Sequence, residues 1–318
     1  MKLSSSQLSS SMVDCLDGTY INTSCVCNPG STFPVNFGIV KNQTCQWSIT
    51  FLDAEYGFFG AFFILSLLIS IALLIVYAYF TAEWDMTAFS PFATTVASLI
   101  FMILSNVAWV ADSTIILVEK QRSTVHSRYM FWTALSLFIL VTETSLLLIK
   151  SALSSAITKH QRMFRGPWYT NPVMSFLNIL FLIPGFVLSA WDRYTSVFHL
   201  SLASAWVFIV VLNATAMTYY LYYFLTKTGS ENKDIHYLKA NLWVFFWLNI
   251  GVLIIFFSAF ILAIINVPFA ETVFTIGITI SSIKQFIYFE LFIQPKIYKV
   301  KQVRNNSSRK QSFQYRYI

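Results

Sequence analysis

Charge is scarce in this chain. Asp, Glu, Lys and Arg make up 11% of its 318 residues, against about 25% in an average soluble domain. So little charge cannot cover a water-exposed surface. Cysteine is scarcer, and none follows Cys45. The histidines are four, His126, His160, His199 and His236. They are scattered over loops and helix edges, so no metal cluster is expected. The chain also lacks a Gly-rich phosphate loop, an HExxH pair and a nucleophile elbow. No soluble-enzyme chemistry is expected.

Apolar residues fill the space, at 56%. They gather into seven long stretches: Gly57–Phe80, Phe92–Val118, Tyr129–Lys150, Pro172–Trp191, His199–Thr226, Ala240–Ile265 and Thr272–Ile293. A bilayer core about 30 Å thick needs roughly 20 apolar residues per helical crossing, and continuous apolar runs in lipid are helices. The expectation is an all-α membrane protein, a seven-transmembrane-helix bundle. It divides into a head at 1–56, the bundle at 57–293 and a basic tail at 294–318. The net charge of +7 sits in short loops and the tail. That placement suits anionic lipid headgroups and argues against nucleic acid.

Orientation follows from the basic residues. With the N-terminus outside, fourteen Lys/Arg fall on the inner face and six on the outer face. Cytoplasmic loops carry the excess, so the N-terminus is expected outside and the C-terminus in the cytoplasm. The head agrees. Asn22-Thr23-Ser24 and Asn42-Gln43-Thr44 are glycosylation acceptor patterns, placed at Asn22 and Asn42. Cys15, Cys25, Cys27 and Cys45 all lie in the head, as disulfides of an oxidising compartment would. A Cys25–Cys27 bridge would be strained, so each of these is expected to pair with Cys15 or Cys45, the alternative being two free thiols or a metal site. The Ser-rich stretch Met1 to Met12 has no apolar core and does not read as a cleavable signal peptide. The first span is expected to carry the head across. A plasma membrane or endomembrane location follows.

The second loop, Glu119 to Arg128, is basic yet should face outward. Either it is a solvated loop, or it meets something acidic outside, or Arg128 turns into the bundle. Ionisable groups inside spans are functional candidates by default. They are Asp112, Glu143, Lys284 and Glu290. Counting about 1.5 Å per residue, Lys284 lies roughly 18 Å and Glu143 roughly 21 Å below the outer end of their helices. An ion pair between them is feasible. Asp112, roughly 9 Å down, is a candidate partner for Arg128. Glu290 sits near the inner surface, within reach of Lys296. Asn106, Asn178, Asn213 and Asn249 read as interhelical hydrogen-bond glue. Pro184-Gly185 predicts a kink in helix four. The run Tyr219 to Phe224 reads as an inner aromatic belt. In the tail, Ser307, Ser308 and Ser312 lie among basic residues, where phosphorylation would weaken attachment to lipid.

Several short motifs carry resemblances. Arg128-Tyr129-Met-Phe-Trp132, the Ala214-Thr-Ala-Met217 segment and a lysine in the last span resemble microbial rhodopsins. That resemblance implies retinal bound as a Schiff base on Lys284, with Trp132 and Trp247 lining its ring. Where that family carries its carboxylate counterions, this chain has Phe131 and Ile280. Pro295-Lys296-Ile297-Tyr298 and Ser90-Pro91 are similar to class C G-protein-coupled receptors, which implies a receptor and a G protein as partner. Phe286-Ile-Tyr-Phe-Glu290, followed by Pro295, resembles the last helix of the plant tobamovirus-multiplication family. Asp192-Arg193-Tyr194 spells the class A receptor triplet, but it follows helix four on the outer side, where the triplet has no role.

The function expected from the sequence is a receptor-like sensor, not an enzyme. It would pass a signal from the outer face to a cytoplasmic partner, with Asp112, Arg128, Trp132, Glu143, Trp247 and Lys284 as ligand or switch residues and no resident cofactor. The alternatives are a retinal photoreceptor or light-gated channel through Lys284, and a membrane scaffold or transport protein without a ligand.

Overall fold

The computed structural model describes Cys15, 17–21, 24–32, Cys45, 47–80, 91–120, 124–156, 170–190, 196–227, 233–265, Val267 and 269–292. Asn22, Asn42, Ser307, Ser308, Ser312, Asp192-Arg193-Tyr194 and the Pro295 motif lie outside those residues. So do the side chains of Glu290 and Asn178.

Seven helices follow a small β head among the described residues. They are α1 (Ile49–Phe80), α2 (Pro91–Glu119), α3 (Val125–Ala156), α4 (Thr170–Ala190), α5 (Ser196–Lys227), α6 (Lys233–Ile264) and α7 (Ala270–Phe292). Each expected span falls on one helix. The first begins earlier than its apolar run. The extra two turns of α1 bury Leu52 and Tyr56, so tertiary contact extends the helix beyond the stretch that lipid alone requires.

Five helices are long and apolar enough to cross a membrane: Ile49–Tyr79, Ala93–Glu119, Val125–Leu146, Phe198–Lys227 and Leu238–Ile264. This is the makeup of a multi-pass membrane protein. The described apolar part of α4 is shorter, Leu180–Ala190. In α7 the apolar run is diluted by Glu271, Lys284, Gln285 and several Thr and Ser residues.

The side chains are arranged inside out relative to a soluble protein. On α1, Ser66 and Ser70 are buried while Leu65, Leu68 and Ile75 are exposed, and Phe58 is 72% exposed. A continuous apolar exterior of this kind is stable in lipid and a liability in water. Several of the bundle's hydroxyls are satisfied by their own helices. Ser113, Thr133, Ser136, Ser189, Thr215 and Thr218 each donate to the carbonyl four residues earlier. That bond lets a small polar side chain sit in an apolar bundle.

Four contacts place helix ends together. Lys120, closing α2, forms an ion pair with Asp53, opening α1. Tyr56 of α1 donates to Glu271 Oε1 of α7 at 2.7 Å. Arg128, opening α3, donates to Ser189 O near the end of α4 at 3.0 Å. Trp132 of α3 donates to His199 Nδ1 of α5 at 3.2 Å. The starts of α1, α3, α5 and α7 therefore share one end of the bundle with the ends of α2 and α4. Helix α3 is central and packs on α2, α4, α5 and α7.

The head sits at that same end. Hairpin β1 (Gly18–Ile21) and β2 (Ser24–Cys27) pairs Gly18 with Cys27, and β3 (Ser31–Thr32) pairs with β4 (Trp47–Ser48). The bridges are Cys15–Cys25 and Cys27–Cys45. They choose between the two pairings left open by the sequence, and neither joins Cys25 to Cys27. Gly18 is required here, because a Cβ would lie 2.6 Å from Val26 O and 2.8 Å from Cys45 Sγ. Asp17 accepts hydrogen bonds from Ser31 Oγ and Asn28 Nδ2. Trp47 anchors the head to the bundle, stacked on Phe269 at 5.9 Å and edge-on to Phe51.

Candidate functional site

Two groups of polar side chains join the helices, at different levels of the bundle. The outer level lies at the head end. Arg128 is 1% exposed. Of the second loop's described basic residues, Lys120 pairs with Asp53 and Arg128 turns inward onto Ser189 O. Asp112 is fully buried on α2, about 12 Å along the helix from Lys120. Trp132 is fully buried and stacks on Trp206 at 6.1 Å while holding His199.

Gly185 makes room for that ring. A Cβ there would lie 2.5 Å from Trp132 Cε3. Helix α4 runs on through Pro184. Of the Pro-Gly pair, Gly185 thus has a packing role.

The inner level lies about 20 Å further along α7 from Glu271. Lys284 is 1% exposed. Its Nζ donates to Asn249 Oδ1 of α6 at 2.8 Å and stands 5.6 Å from the Phe245 ring centre. Next to it, Gln285 clasps α3. Its Nε2 donates to Thr142 Oγ1 at 3.1 Å, and its Oε1 accepts from Ser145 Oγ at 3.0 Å. Asn106 Nδ2 on α2 donates to Ser70 Oγ on α1 at 3.1 Å.

The expected Lys284–Glu143 pair has the right level and the wrong face. Gln285 meets Thr142 and Ser145, which flank Glu143 on α3. Successive helical residues are turned by about 100°, so with Gln285 facing α3 the neighbouring lysine is aimed at α6. Glu143 is half-buried. The partner of the ammonium is an amide, not that carboxylate.

Trp247 departs further. It is 55% exposed and packs edge-on against Trp243 on the outer face of α6. It does not line the interior with Trp132. The glue role expected of asparagines is filled by Asn106 and Asn249. The tyrosines Tyr219, Tyr220 and Tyr223 lie on the exterior, as a belt requires.

Sequence reasoning did not single out Tyr56, Glu271, His199, Ser189 or Gln285. Two signals were present. Glu271 opens an apolar helix, and Gln285 stands directly beside the intramembrane lysine.

No protein-family model, curated protein or solved structure matches this chain.

Proposed function

We propose that this chain is a receptor-like sensor built on a seven-span bundle, with the disulfide head outside and the basic tail in the cytoplasm. The excess of basic residues on the tail side supports that orientation. The sharing of one end by the starts of α1, α3, α5 and α7 supports placing head and tail on opposite sides.

One observation carries the reading. Helix α7 is held by breakable polar clasps at both levels: to α1 through Tyr56–Glu271, and to α6 and α3 through Lys284–Asn249 and Gln285–Thr142/Ser145. Clasps of this kind give a packed bundle discrete alternative arrangements, which a stimulus shifts by binding one of them better. A stimulus enters near Asp112, Arg128 and Trp132 beneath the head. It leaves through the inner loops and tail, where a G protein is the partner class and anionic headgroups hold the basic residues. Phosphorylation of Ser307, Ser308 or Ser312 would loosen that hold.

The test is guanine-nucleotide exchange by a panel of heterotrimeric G proteins, using the full chain in lipid nanodiscs. Gln285→Leu, which frees α7 from α3, is expected to change basal exchange. Exchange that is indifferent to the chain and to this variant throughout the panel refutes G-protein coupling. Protease protection in sealed vesicles that puts head and tail on one side refutes the topology.

A retinal photoreceptor is a second reading, favoured by the buried lysine on the last helix. Added retinal should then give a visible absorption band that is lost in Lys284→Ala. The exterior position of Trp247 and the amide partner of Lys284 weigh against it.

A further inference from the structure

The inner clasp has more hydrogen-bond donors than acceptors. An ammonium carries three N–H donors, and a side-chain amide carries two donors and one acceptor oxygen. Lys284 is almost fully buried, and its single hydrogen bond among the described residues takes Asn249 Oδ1. Asn249 is fully buried, and its Nδ2 donates to no acceptor there. One turn back on α7, buried Ser281 Oγ is also without a hydrogen-bond partner. The nearby Gln285 is turned toward α3, where its oxygen and nitrogen are bonded to Ser145 and Thr142. The ring of Phe245 lies on another side of the ammonium, its centre 5.6 Å away. A buried cation with so little compensation costs several kcal/mol in an apolar medium. A group bearing negative charge would satisfy the ammonium and the neighbouring Asn249 Nδ2 together.

We propose that Lys284 and Asn249 form a recognition point for one anionic group, either a small inorganic anion or the carboxylate of an amphipathic ligand. This deepens the receptor-like reading, in which Lys284 belongs to the switch, by giving the chemical class of what the switch binds. An anion here would bridge α6 and α7 at the level of the α3 clasp. It would stabilise whichever bundle arrangement holds those two helices together.

The experiment is thermal unfolding of the full chain in nanodiscs, at constant ionic strength. Chloride is titrated against gluconate in one arm. Dodecanoate is titrated against dodecanol in the other. A ligand that binds only the folded state raises the midpoint, and each tenfold rise above its Kd adds a similar increment. The wild type is expected to show this response to chloride or dodecanoate, and Lys284→Met is expected to lose it.

Asn249→Asp is the decisive variant, because it gives the lysine a carboxylate of its own. It should unfold at or above the wild-type midpoint in gluconate and no longer respond to either probe. Lys120→Met, at the far end of the bundle, should respond as the wild type does. A response to chloride but not dodecanoate assigns the site to an inorganic anion. A stronger response to dodecanoate, with dodecanol inert, assigns it to a ligand carboxylate. A wild type indifferent to both probes, or an Asn249→Asp chain that still responds, overturns the proposal. The nucleotide-exchange assay judges the receptor reading separately, so either can fail alone.

Discussion

Two glycines on the bundle helices make a paired test of how tightly the outer level is built. Glycine inside a helix is less stable than alanine by roughly 0.5–1 kcal/mol, so Gly→Ala should help wherever a methyl group fits. At Gly251 on α6 a Cβ meets nothing within 4 Å. At Gly185 on α4 it would stand 2.5 to 2.7 Å from three atoms of the Trp132 ring. That ring cannot swing aside cheaply. It is fully buried, bonded to His199 Nδ1 and stacked on Trp206. Overpacking at such a place costs typically ~1–3 kcal/mol, and more where the neighbours are rigid. Set against the helix gain, Gly185→Ala should destabilise by ~1–2 kcal/mol. Gly251→Ala should be neutral or stabilising by up to ~1 kcal/mol.

The assay is thermal unfolding of both variants beside the wild type in one detergent, followed by tryptophan fluorescence. Gly185→Ala should lower the midpoint and change the emission of the native state, because Trp132 must move. A Gly185→Ala chain as stable as the wild type would show that α4 does not press on Trp132. Equal losses at both positions would mean that helix propensity and local packing decide neither.

In the head, Gly18→Ala is expected to block the approach of Val26 O and Cys45 Sγ. Thiol labelling followed by mass mapping should then find Cys27 and Cys45 free or mispaired, where the wild type gives the Cys27–Cys45 bridge. Hydrogen bonds from Ser31 and Asn28 hold the Asp17 carboxyl below its ordinary value. A depressed carboxyl stabilises the fold above its unfolded pKa, and that contribution fades as pH falls through the folded value. Head stability should therefore drop below about pH 4, and Asp17→Asn should flatten that acid response when hydrogen exchange of the hairpin is followed. Tyr56→Phe removes a donor from the buried Glu271 carboxylate. It should cost ~1–3 kcal/mol, while Tyr56→Phe with Glu271→Leu should lose less than the sum of the single changes. Strict additivity in thermal unfolding would rule out coupling of the pair.

Length, apolarity and charge placement were decided along the chain, because crossing lipid is a local requirement. A segment must be apolar for about 20 residues and helical to satisfy its backbone. The seven helices, the confinement of the cysteines to the head and the depth of Lys284 could all be read that way. So could the choice for Arg128 between solvent and interior, once posed, though not its answer.

Rotation about each helix axis was decided only by packing. Depth counts rise per residue and needs no partner, which is why Gln285 and Glu143 proved to be level. Facing depends on which ridges of α3, α6 and α7 fit together. One residue of turn gave Gln285 to α3 and Lys284 to Asn249, and packing likewise set Trp247 on the exterior. The disulfide pairing and the inward turn of Arg128 onto Ser189 belong to the same class. Arg128 and Ser189 stand 61 residues apart and the bridged cysteines 10 and 18 apart, and what joins them is how the chain packs between, which residue order alone does not state.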